Sequence, residues 1–446
     1  MQGFVDFWVG QGPEGFIRIF WFYFFLELPR YVLLDYVYLI IYRLKQRFNK
    51  EQYKEARQAL WAEQPRVTIL IPGKNEGKNY YRLIRSLEEQ TYQNFQLIIV
   101  DDGSDDDSVI IGQKMKEEGK IDLFLRNDQR GGKASAANLA LRYATGKYVV
   151  HLDADSSFHR DAIEQILIPF YQEENVGAVG GTLEVRNKDR SLVTRFQAIE
   201  YLLNFTVGRL VSSSLGILRI ISGAFGVFRT DLLKEIGGWD VGPGLDGDIT
   251  LKMRKMGYKV EFTPLAVCLT SVPETARQLI RQRLRWSRSL VRFRLRKHRD
   301  VLFPSQHFNF RDFFAVTENI FYELILNVLW WIYLFEVAFN FTPDLGYIMI
   351  TGFLLYTISK YLEFALVPLL SVNKTDHIRL LAYIPGMTIY TGLFIRAIRT
   401  VAYISEFFFN HSYKDEWNPE KTSKAVKEVE DNIKTVFRRR KRRDKV

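Results

Sequence analysis

Long apolar runs occupy both ends of the chain, whereas its middle alternates between short apolar runs and mixed polar stretches. Residues 16–42 are mostly apolar around Pro29, and several bases follow between residues 43 and 50. This pattern predicts a kinked membrane-anchoring helix within residues 1–50. By the positive-inside rule, the bases place the residues that follow in the cytoplasm.

Four β-rich runs, at residues 67–72, 96–102, 147–155 and 176–181, are separated by helix-like stretches. Strands that alternate with helices indicate an α/β fold with a mostly parallel sheet. We therefore predict a cytoplasmic α/β domain over residues 51–303.

Two apolar stretches beyond this domain, residues 319–341 and 345–371, are each long enough to cross about 30 Å of hydrocarbon. Within the second stretch Lys360 and Glu363 are one helical turn apart, so we expect them to pair.

Residues 380–408 carry Arg396 and Arg399 where a full crossing would bury charge, which favours an interfacial or re-entrant segment. The region 304–410 is thus predicted to combine interfacial and transmembrane helices, followed by a cytoplasmic segment at 411–446.

Composition and charge remove several classes of function. The net charge is +11, but residues 438–445 hold seven bases and one acid, so the body of the chain is only mildly basic. We therefore expect no nucleic-acid partner and interpret the basic tail as a solvated or membrane-surface element. Cys268 is the only cysteine, which excludes an intramolecular disulfide and a cysteine-rich metal site.

Acidic residues follow two of the predicted strands. The second strand ends in Asp101 and Asp102, and the third ends in Asp153 and Asp155. In open α/β sheets, ligands bind at the carboxyl ends of the strands. Two carboxylates that flank one residue suit Mg²⁺ or Mn²⁺ bridging a diphosphate, although each motif also occurs as an ordinary turn.

Other charged residues, both basic and acidic, lie between and after these aspartates along the chain. Lys133 follows two glycines at the start of a predicted helix, where it could face a phosphate or simply begin the helix. Asp246 and Asp248 lie in the sequence LDGD, and residues 281–286 read RQRLRW.

The order of these motifs resembles that of the processive family 2 glycosyltransferases, in which Gln282, Arg285 and Trp286 match the Gln-x-x-Arg-Trp motif. The resemblance covers residues 66 to about 300 and points to membrane-embedded synthases of hyaluronan, cellulose, poly-N-acetylglucosamine and nodulation chitin oligomers. It implies a cytoplasmic nucleotide-sugar-binding domain of the GT-A type. It also implies α-helical transmembrane and interfacial segments in a multi-pass protein of the cell membrane.

The resemblance also implies a role for individual residues. The nucleotide-binding residues would be Pro72, Glu76, Asp102, Lys133 and Asp153, and Asp153 with Asp155 would hold the metal. The catalytic residues would be Asp246 as general base, with Asp248 as the alternative base, and Arg285 at the leaving diphosphate. The acceptor-binding residues would be Ser222, Gly223, Gln282 and Trp286, and the gating residues Trp417 and Lys421.

The implied reaction is an inverting, metal-dependent transfer of sugar from a nucleotide donor, expected to be UDP-linked, to a growing glycan. Export through the enzyme's own helices, contact with the lipid bilayer and an accessory export subunit are implied with it. Two alternatives stay open: a single-addition enzyme acting on a membrane lipid, and a non-catalytic membrane component of an export complex. The Gln-x-x-Arg-Trp motif favours the polymerase, and the intact acidic set argues against a non-catalytic component.

Overall fold

A mixed eight-stranded sheet forms the centre of the computed structural model, which describes residues 2–240, 244–303, 309–371 and 377–414. The strands lie in the order β3-β2-β1-β4-β7-β6-β8-β5. They are β1 (Val67–Gly73), β2 (Phe95–Asp101), β3 (Leu123–Arg126), β4 (Tyr148–Leu152), β5 (Ser157–Phe158), β6 (Val176–Val185), β7 (Phe225–Arg229) and β8 (Lys259–Thr270).

The strand pairings confirm the prediction of a mostly parallel α/β sheet. Strands β1 to β4 are parallel to one another, and β6 is parallel to β8. Strand β7 is antiparallel to β4 and β6, and β5 is antiparallel to β8. Helices cover both faces, so the Val- and Ile-rich strands β1 and β2 are buried almost throughout.

The sequence did not predict strand β8, which the structure places beside β6. Pro264 interrupts this strand, and proline cannot donate to a ladder. The register shifts at that point, because Gly181 pairs with Thr263 while Thr182 pairs with Val267. The bulge absorbs the proline within the sheet.

Helices of regular α geometry make up most of the remaining structure. They are α1 (Gln2–Ile19), α2 (Leu34–Phe48), α3 (Lys50–Glu63), α4 (Gly77–Glu88), α5 (Ser108–Glu117), α6 (Lys133–Arg142), α7 (Ala162–Leu167), α8 (Pro169–Gln172), α9 (Leu192–Glu200), α10 (Gly208–Ser214), α11 (Thr230–Glu235), α12 (Leu245–Lys255), α13 (Ala276–Ser289), α14 (Phe310–Ile320), α15 (Leu326–Asn340), α16 (Leu345–Ala365), α17 (Val367–Leu370), α18 (Ile384–Ile389) and α19 (Arg396–Phe409).

Wider and tighter helical segments continue several of these helices. The π-helical segments are Tyr23–Glu27, Pro29–Leu33, Tyr201–Val207, Leu290–Lys297, Phe321–Ile325 and Tyr390–Ile395. The 3₁₀ segments are Arg299–Leu302, Thr342–Asp344, Arg379–Tyr383 and His411–Lys414.

Three helical stretches in the described part of the chain are long and apolar enough to cross a membrane: Phe310–Asn340, Thr342–Leu370 and Arg379–Phe409. The first two cover the predicted stretches except for the last residue of each, and Lys360 pairs with Glu363 at 2.7 Å as expected. Large apolar side chains such as Phe335, Phe339 and Phe408 are about three-quarters exposed on these helices. Such surfaces suit contact with lipid.

The third stretch differs from the interfacial segment that the sequence favoured. The objection to a full crossing was the charge of Arg396 and Arg399. Arg396 forms an ion pair with Glu27, and Arg399 pairs with Glu323 at 2.9 Å. Because carboxylates from other helices neutralise both arginines, their charge no longer argues against a span.

The N-terminal helix is bent, but not at the predicted position. Gly12 adopts φ 62° and ψ −177°, which breaks the helix just before Pro13. Around Pro29 the helix instead continues as two π-helical segments, whose wider turn accommodates the missing proline N–H. Phe20 and Phe22 of this helix pack in one apolar cluster with Trp330 and Tyr333 of the first candidate span.

Candidate active site

Asp102, just after strand β2, organises the loop that leads into helix α6. Its carboxylate is buried and accepts hydrogen bonds from the backbone N–H groups of Gly131 (2.9 Å) and Gly132 (2.8 Å). The side chain of Asn127 donates a third bond at 2.9 Å. Gly132, which directly precedes Lys133, has φ 85°, a backbone conformation that favours glycine. Asp102 thereby fixes the loop that presents Lys133.

Lys133 stands opposite the acidic pair at the end of strand β4. Its amine forms an ion pair with the Asp153 carboxylate and lies 3.5 Å from the carbonyl oxygen of Gly223. Burial alone would lower the pKa of Lys133, but the charges of Asp153 and Asp246 outweigh burial and raise the pKa. The amine is therefore protonated at neutral pH. Arg285 adds a second positive charge near it, which opposes this rise.

Three carboxyl groups share the acidic end of the site. Burial, followed by the neighbouring charge of Asp153, raises the pKa of Asp155 to about 6. Burial also raises the pKa of Glu76, and the charges of Asp155 and Asp153 add to it. Mutual repulsion of this kind is relieved by a cation. The described residues contain no cluster of three or more His, Cys, Asp or Glu suited to a metal.

Asp246 lies close to Gly223, as Lys133 does. A Cβ atom on Gly223 would come within 2.5 Å of the Asp246 carboxylate, so this contact requires glycine. Burial raises the pKa of Asp246, while Lys133 and the Gly223 backbone oppose the rise. The hydroxyl of Thr250 donates to the Asp246 carbonyl oxygen at 2.6 Å and accepts from the Ile221 N–H at 2.9 Å. These bonds fasten helix α12 to the 221–223 segment.

Asp248, two residues further on, points into a buried charged cluster instead. Its carboxylate lies 2.6 Å from both the Lys297 amine and His298 Nε2, and 3.7 Å from the Lys252 amine. Burial would raise the pKa of Asp248, but the His298 hydrogen bond and the Lys297 charge outweigh burial and hold it well below its usual range. Asp248 thus connects helix α12 to the helical segment that follows α13.

The Gln-x-x-Arg-Trp motif lies on helix α13, whose first turn is closed by a capping box between Thr275 and Gln278. Arg283 is buried and pairs with Glu200 at 2.9 Å, and its guanidinium carbon lies 4.4 Å from the centre of the Trp286 ring. One arginine within the motif is therefore held inside the protein. The side-chain amide oxygen of Gln282, Oε1, is buried and has no hydrogen-bond partner among the described residues.

Trp286 faces a cavity of about 680 Å³ between the catalytic domain and the membrane helices. Phe205 shares this cavity, with its ring centre 6.2 Å from that of Trp286. Glu27 of the N-terminal helix and Arg396 of the third candidate span also line it. The cavity therefore extends from Trp286 to the candidate membrane-spanning helices.

The structure brings most of the predicted site residues together. Lys133, Asp153, Gly223 and Asp246 form a continuous group around Gly223. Pro72 is buried in strand β1, where it pairs with Val100, and thus supports the site from within the sheet. Ser222 directly precedes Gly223 and Trp286 lines the cavity, whereas Trp417 and Lys421 fall outside the described residues.

Arg209 and His151 are residues near this site that the sequence analysis did not select. His151 Nδ1 lies 2.6 Å from the Gly223 carbonyl oxygen, and burial lowers the pKa of His151 to about 3, so the ring is neutral. Arg209 lies close enough to Asp246 for the carboxylate charge to act on it. A signal existed for Arg209, since it is the only charged residue in the stretch 201–218.

Comparison with known proteins agrees with this arrangement. Residues 68–237 match the family model described as Glycosyl transferase family 2. The poly-beta-1,6-N-acetyl-D-glucosamine synthase of Staphylococcus aureus is 29% identical over 273 residues, which cover 59% of this chain and 62% of that protein. The Staphylococcus epidermidis synthase of the same description is 31% identical over 223 residues, covering 50% of this chain and 53% of that protein.

The chain thus spans less than two thirds of the length of these curated relatives. A solved mannosyltransferase from Pyrobaculum calidifontis, in complex with GDP-Man and Mn²⁺, superposes with a TM-score of 0.54 at 20% identity. The match covers 84% of this chain and 99% of that structure and shows the same GT-A-type fold. Residues 68–237 therefore match the family 2 glycosyltransferases, and the fold that contains them is of the GT-A type.

Proposed function

We propose that this protein is a membrane-embedded, inverting glycosyltransferase that polymerises a sugar from a nucleotide-sugar donor and passes the product into the membrane region. The observation that carries the proposal is the position of Asp246. This half-buried carboxylate lies close to Gly223, which the amine of the Lys133–Asp153 pair also approaches. A proton acceptor thus stands beside the cations that would bind a leaving diphosphate.

The donor side would be formed by groups on β4, α6 and α13. The protonated Lys133 and the nearby Arg285 would neutralise the diphosphate of the nucleotide as it leaves. Asp102 would support this contact indirectly, by holding the loop before Lys133. Glu76 would complete the donor pocket beside Asp155.

A divalent cation fits the acidic pair by the chemistry of its ligands. Asp153 and Asp155 supply hard carboxylate oxygens, the ligands that Mg²⁺ and Mn²⁺ prefer. Because the described residues offer no larger cluster, diphosphate oxygens would have to provide further ligands. When bound, the cation would offset the charge of the leaving diphosphate.

The acceptor side follows from Asp246 and Trp286. Asp246 would take the proton of the attacking hydroxyl, and its raised pKa makes it a stronger base than an exposed aspartate. Asp248 is tied to Lys297 and His298, so it cannot act as a second reacting carboxylate. One displacement assisted by one base inverts the anomeric carbon, which is the stereochemistry that we propose.

The cavity beside Trp286 supports a polymerase coupled to export. An indole ring offers a flat apolar face for a sugar ring, and the cavity behind it reaches residues of the membrane helices. A growing chain held there would move away from Asp246 after each addition. In this proposal the catalytic domain faces the cytoplasm and the glycan leaves through the membrane region.

The similarity to the Staphylococcus proteins indicates which nucleotide-sugar donor should be tested first. The matched Staphylococcus proteins are described as synthases of poly-beta-1,6-N-acetyl-D-glucosamine. We therefore propose UDP-N-acetylglucosamine as the donor to test first and a bacterial-type amino-sugar polymer as the product class.

The proposal is tested by incubating the purified full chain in detergent with separate UDP-, GDP- and CMP-linked sugars and Mg²⁺ or Mn²⁺. Released nucleotide and product length are then measured. Long products from one donor support the proposal. Addition of a single sugar to a membrane lipid would establish the single-addition alternative, and no release from any donor would favour a non-catalytic component.

Replacing Trp286 by Ala is expected to shorten the product far more than it slows donor hydrolysis. The variant loses the stacking platform for the acceptor but keeps Lys133, Asp153 and Asp246. Trp286→Phe, which retains a flat ring, is the matched control and should make longer chains than the Ala variant. Both would be compared with the unaltered protein by gel sizing and nucleoside diphosphate release. Equal chain lengths in all three proteins would show that Trp286 does not hold the acceptor.

A further inference from the structure

Arg209 is a half-buried cation that lacks a polar partner in the described part of the chain. It lies on helix α10 and makes no hydrogen bond or ion pair with a described residue, and its Nη1 atom is inaccessible to solvent. A buried polar group without a partner is costly, so such a group in a native structure calls for an explanation.

The surroundings of Arg209 connect two parts of the site. Its guanidinium lies over the Phe205 ring, 4.6 Å from the centre, and Phe205 in turn approaches Trp286. Arg209, Phe205 and Trp286 all line the same cavity. On its other side Arg209 is within electrostatic reach of Asp246. The guanidinium thus stands between the acceptor platform and the carboxylate that we propose as the base.

Other arginines of this cavity are paired with carboxylates. Arg30 lies 2.8 Å from Glu318, and Arg283 and Arg399 have carboxylate partners at 2.9 Å. Arg294 resembles Arg209 in lacking an ion pair to a described residue, but none of its nitrogens is both buried and unpartnered. A buried, unpartnered nitrogen together with the lack of a carboxylate partner among the described residues therefore distinguishes Arg209 from these arginines.

We propose that Arg209 binds the acceptor glycan by donating hydrogen bonds to oxygen atoms of its terminal sugar. A guanidinium only donates, and its planar fork can hold two neighbouring oxygens at once. Since Asp246 already supplies a negative charge nearby, an uncharged sugar oxygen suits the site better than an anionic group. The contact would hold the attacking hydroxyl beside Asp246.

This inference rests on the proposed function for the identity of the acceptor, and a binding experiment separates the two. Binding of a β-1,6-linked N-acetylglucosamine tetrasaccharide and of UDP would be measured by calorimetry on the full chain in detergent. Arg209→Gln is expected to weaken tetrasaccharide binding by about 10- to 100-fold, the effect of losing a charge-assisted hydrogen bond. UDP binding should stay as in the unaltered protein.

Three further variants make the comparison specific. Arg209→Lys keeps the charge without the fork and should retain part of the affinity. Arg85→Gln removes an exposed arginine that pairs only with Glu89 on the surface of helix α4, so its binding should match that of the unaltered protein. If Arg209→Gln fails to fold, tetrasaccharide and UDP binding are measured on Arg209→Met instead. Its apolar side chain of similar length avoids burying an unpaired polar group.

The outcomes are distinct. Unchanged tetrasaccharide affinity in Arg209→Gln or Arg209→Met would overturn the inference, and so would a parallel loss of UDP binding in a folded variant. An unaltered protein that binds no tetrasaccharide would also overturn it, even with transfer to another acceptor. An unaltered protein that binds the tetrasaccharide but transfers no sugar would overturn the proposed function alone, and the affinities would still decide the role of Arg209.

Discussion

Replacing Asp246 by Asn is expected to reduce sugar transfer by about 10²- to 10⁴-fold, the range that a general base typically contributes. The amide has nearly the same shape as the carboxylate but cannot accept the proton of the attacking hydroxyl. Because Lys133 and Asp153 are unchanged, nucleotide binding should persist. The measurements are the initial rate of nucleoside diphosphate release in the presence of acceptor and the affinity for UDP.

Asp248→Asn is the matched comparison, since it makes the same chemical change two residues away. Its expected effect is on stability, because Lys297 and His298 would lose the buried carboxylate between them. Breaking a buried ion pair costs about 3–5 kcal/mol, which should lower the thermal unfolding midpoint clearly. The fraction that folds should still transfer sugar. A folded, inactive Asp248→Asn beside an active Asp246→Asn would show that the base has been assigned to the wrong residue.

The choice between these two aspartates shows what the sequence could and could not predict. The motif order located both acids, because it depends on residue types and spacing along the chain. Their roles depend on partners that are distant in sequence: Asp248 meets Lys297 and His298 about 50 residues later, whereas Asp246 meets Gly223 and Lys133. Only the folded arrangement separates a buried ion-pair centre from a carboxylate beside the donor cations.

The sheet was predictable where hydrophobicity was continuous. Strands β1, β2, β4 and β6 have runs of Val, Ile or small residues, and all four were located. Strand β3 has four residues and β5 has two, which is too short for a recognisable pattern. Strand β8 was missed because Pro264 interrupts its interior, and the bulge that absorbs the proline depends on the pairing with β6.

The roles of charged residues in the membrane region also could not be predicted, because their partners are distant in the sequence. Arg396 looked unsuitable for a span because its partner, Glu27, lies at the other end of the chain. Arg209 was missed for a related reason, because an isolated arginine in an apolar stretch gives no motif. In both cases the function of the charge is set by what the fold places opposite it.

Exhaustive removal of divalent cations is expected to stop sugar transfer, and added Mg²⁺ or Mn²⁺ should restore it. Asp153, Asp155 and Glu76 already crowd negative charge at one end of the site, as the raised pKa values of Asp155 and Glu76 indicate. The incoming diphosphate adds more, while Lys133 is already paired with Asp153. Transfer rates would be measured after dialysis against EDTA and again after the addition of each cation.

A binding measurement makes this prediction independent of turnover. Paramagnetic resonance would follow the binding of Mn²⁺ to the full chain in the presence of UDP. Asp155→Asn should weaken that binding because it removes one of two hard oxygen ligands, whereas Asp231→Asn, an exposed surface change, should not. Full turnover after chelation, with no Mn²⁺ bound, would remove the metal from the mechanism. The neutralisation of the leaving diphosphate would then fall to Lys133 and Arg285, and the Asp153–Asp155 pair would serve to position Lys133.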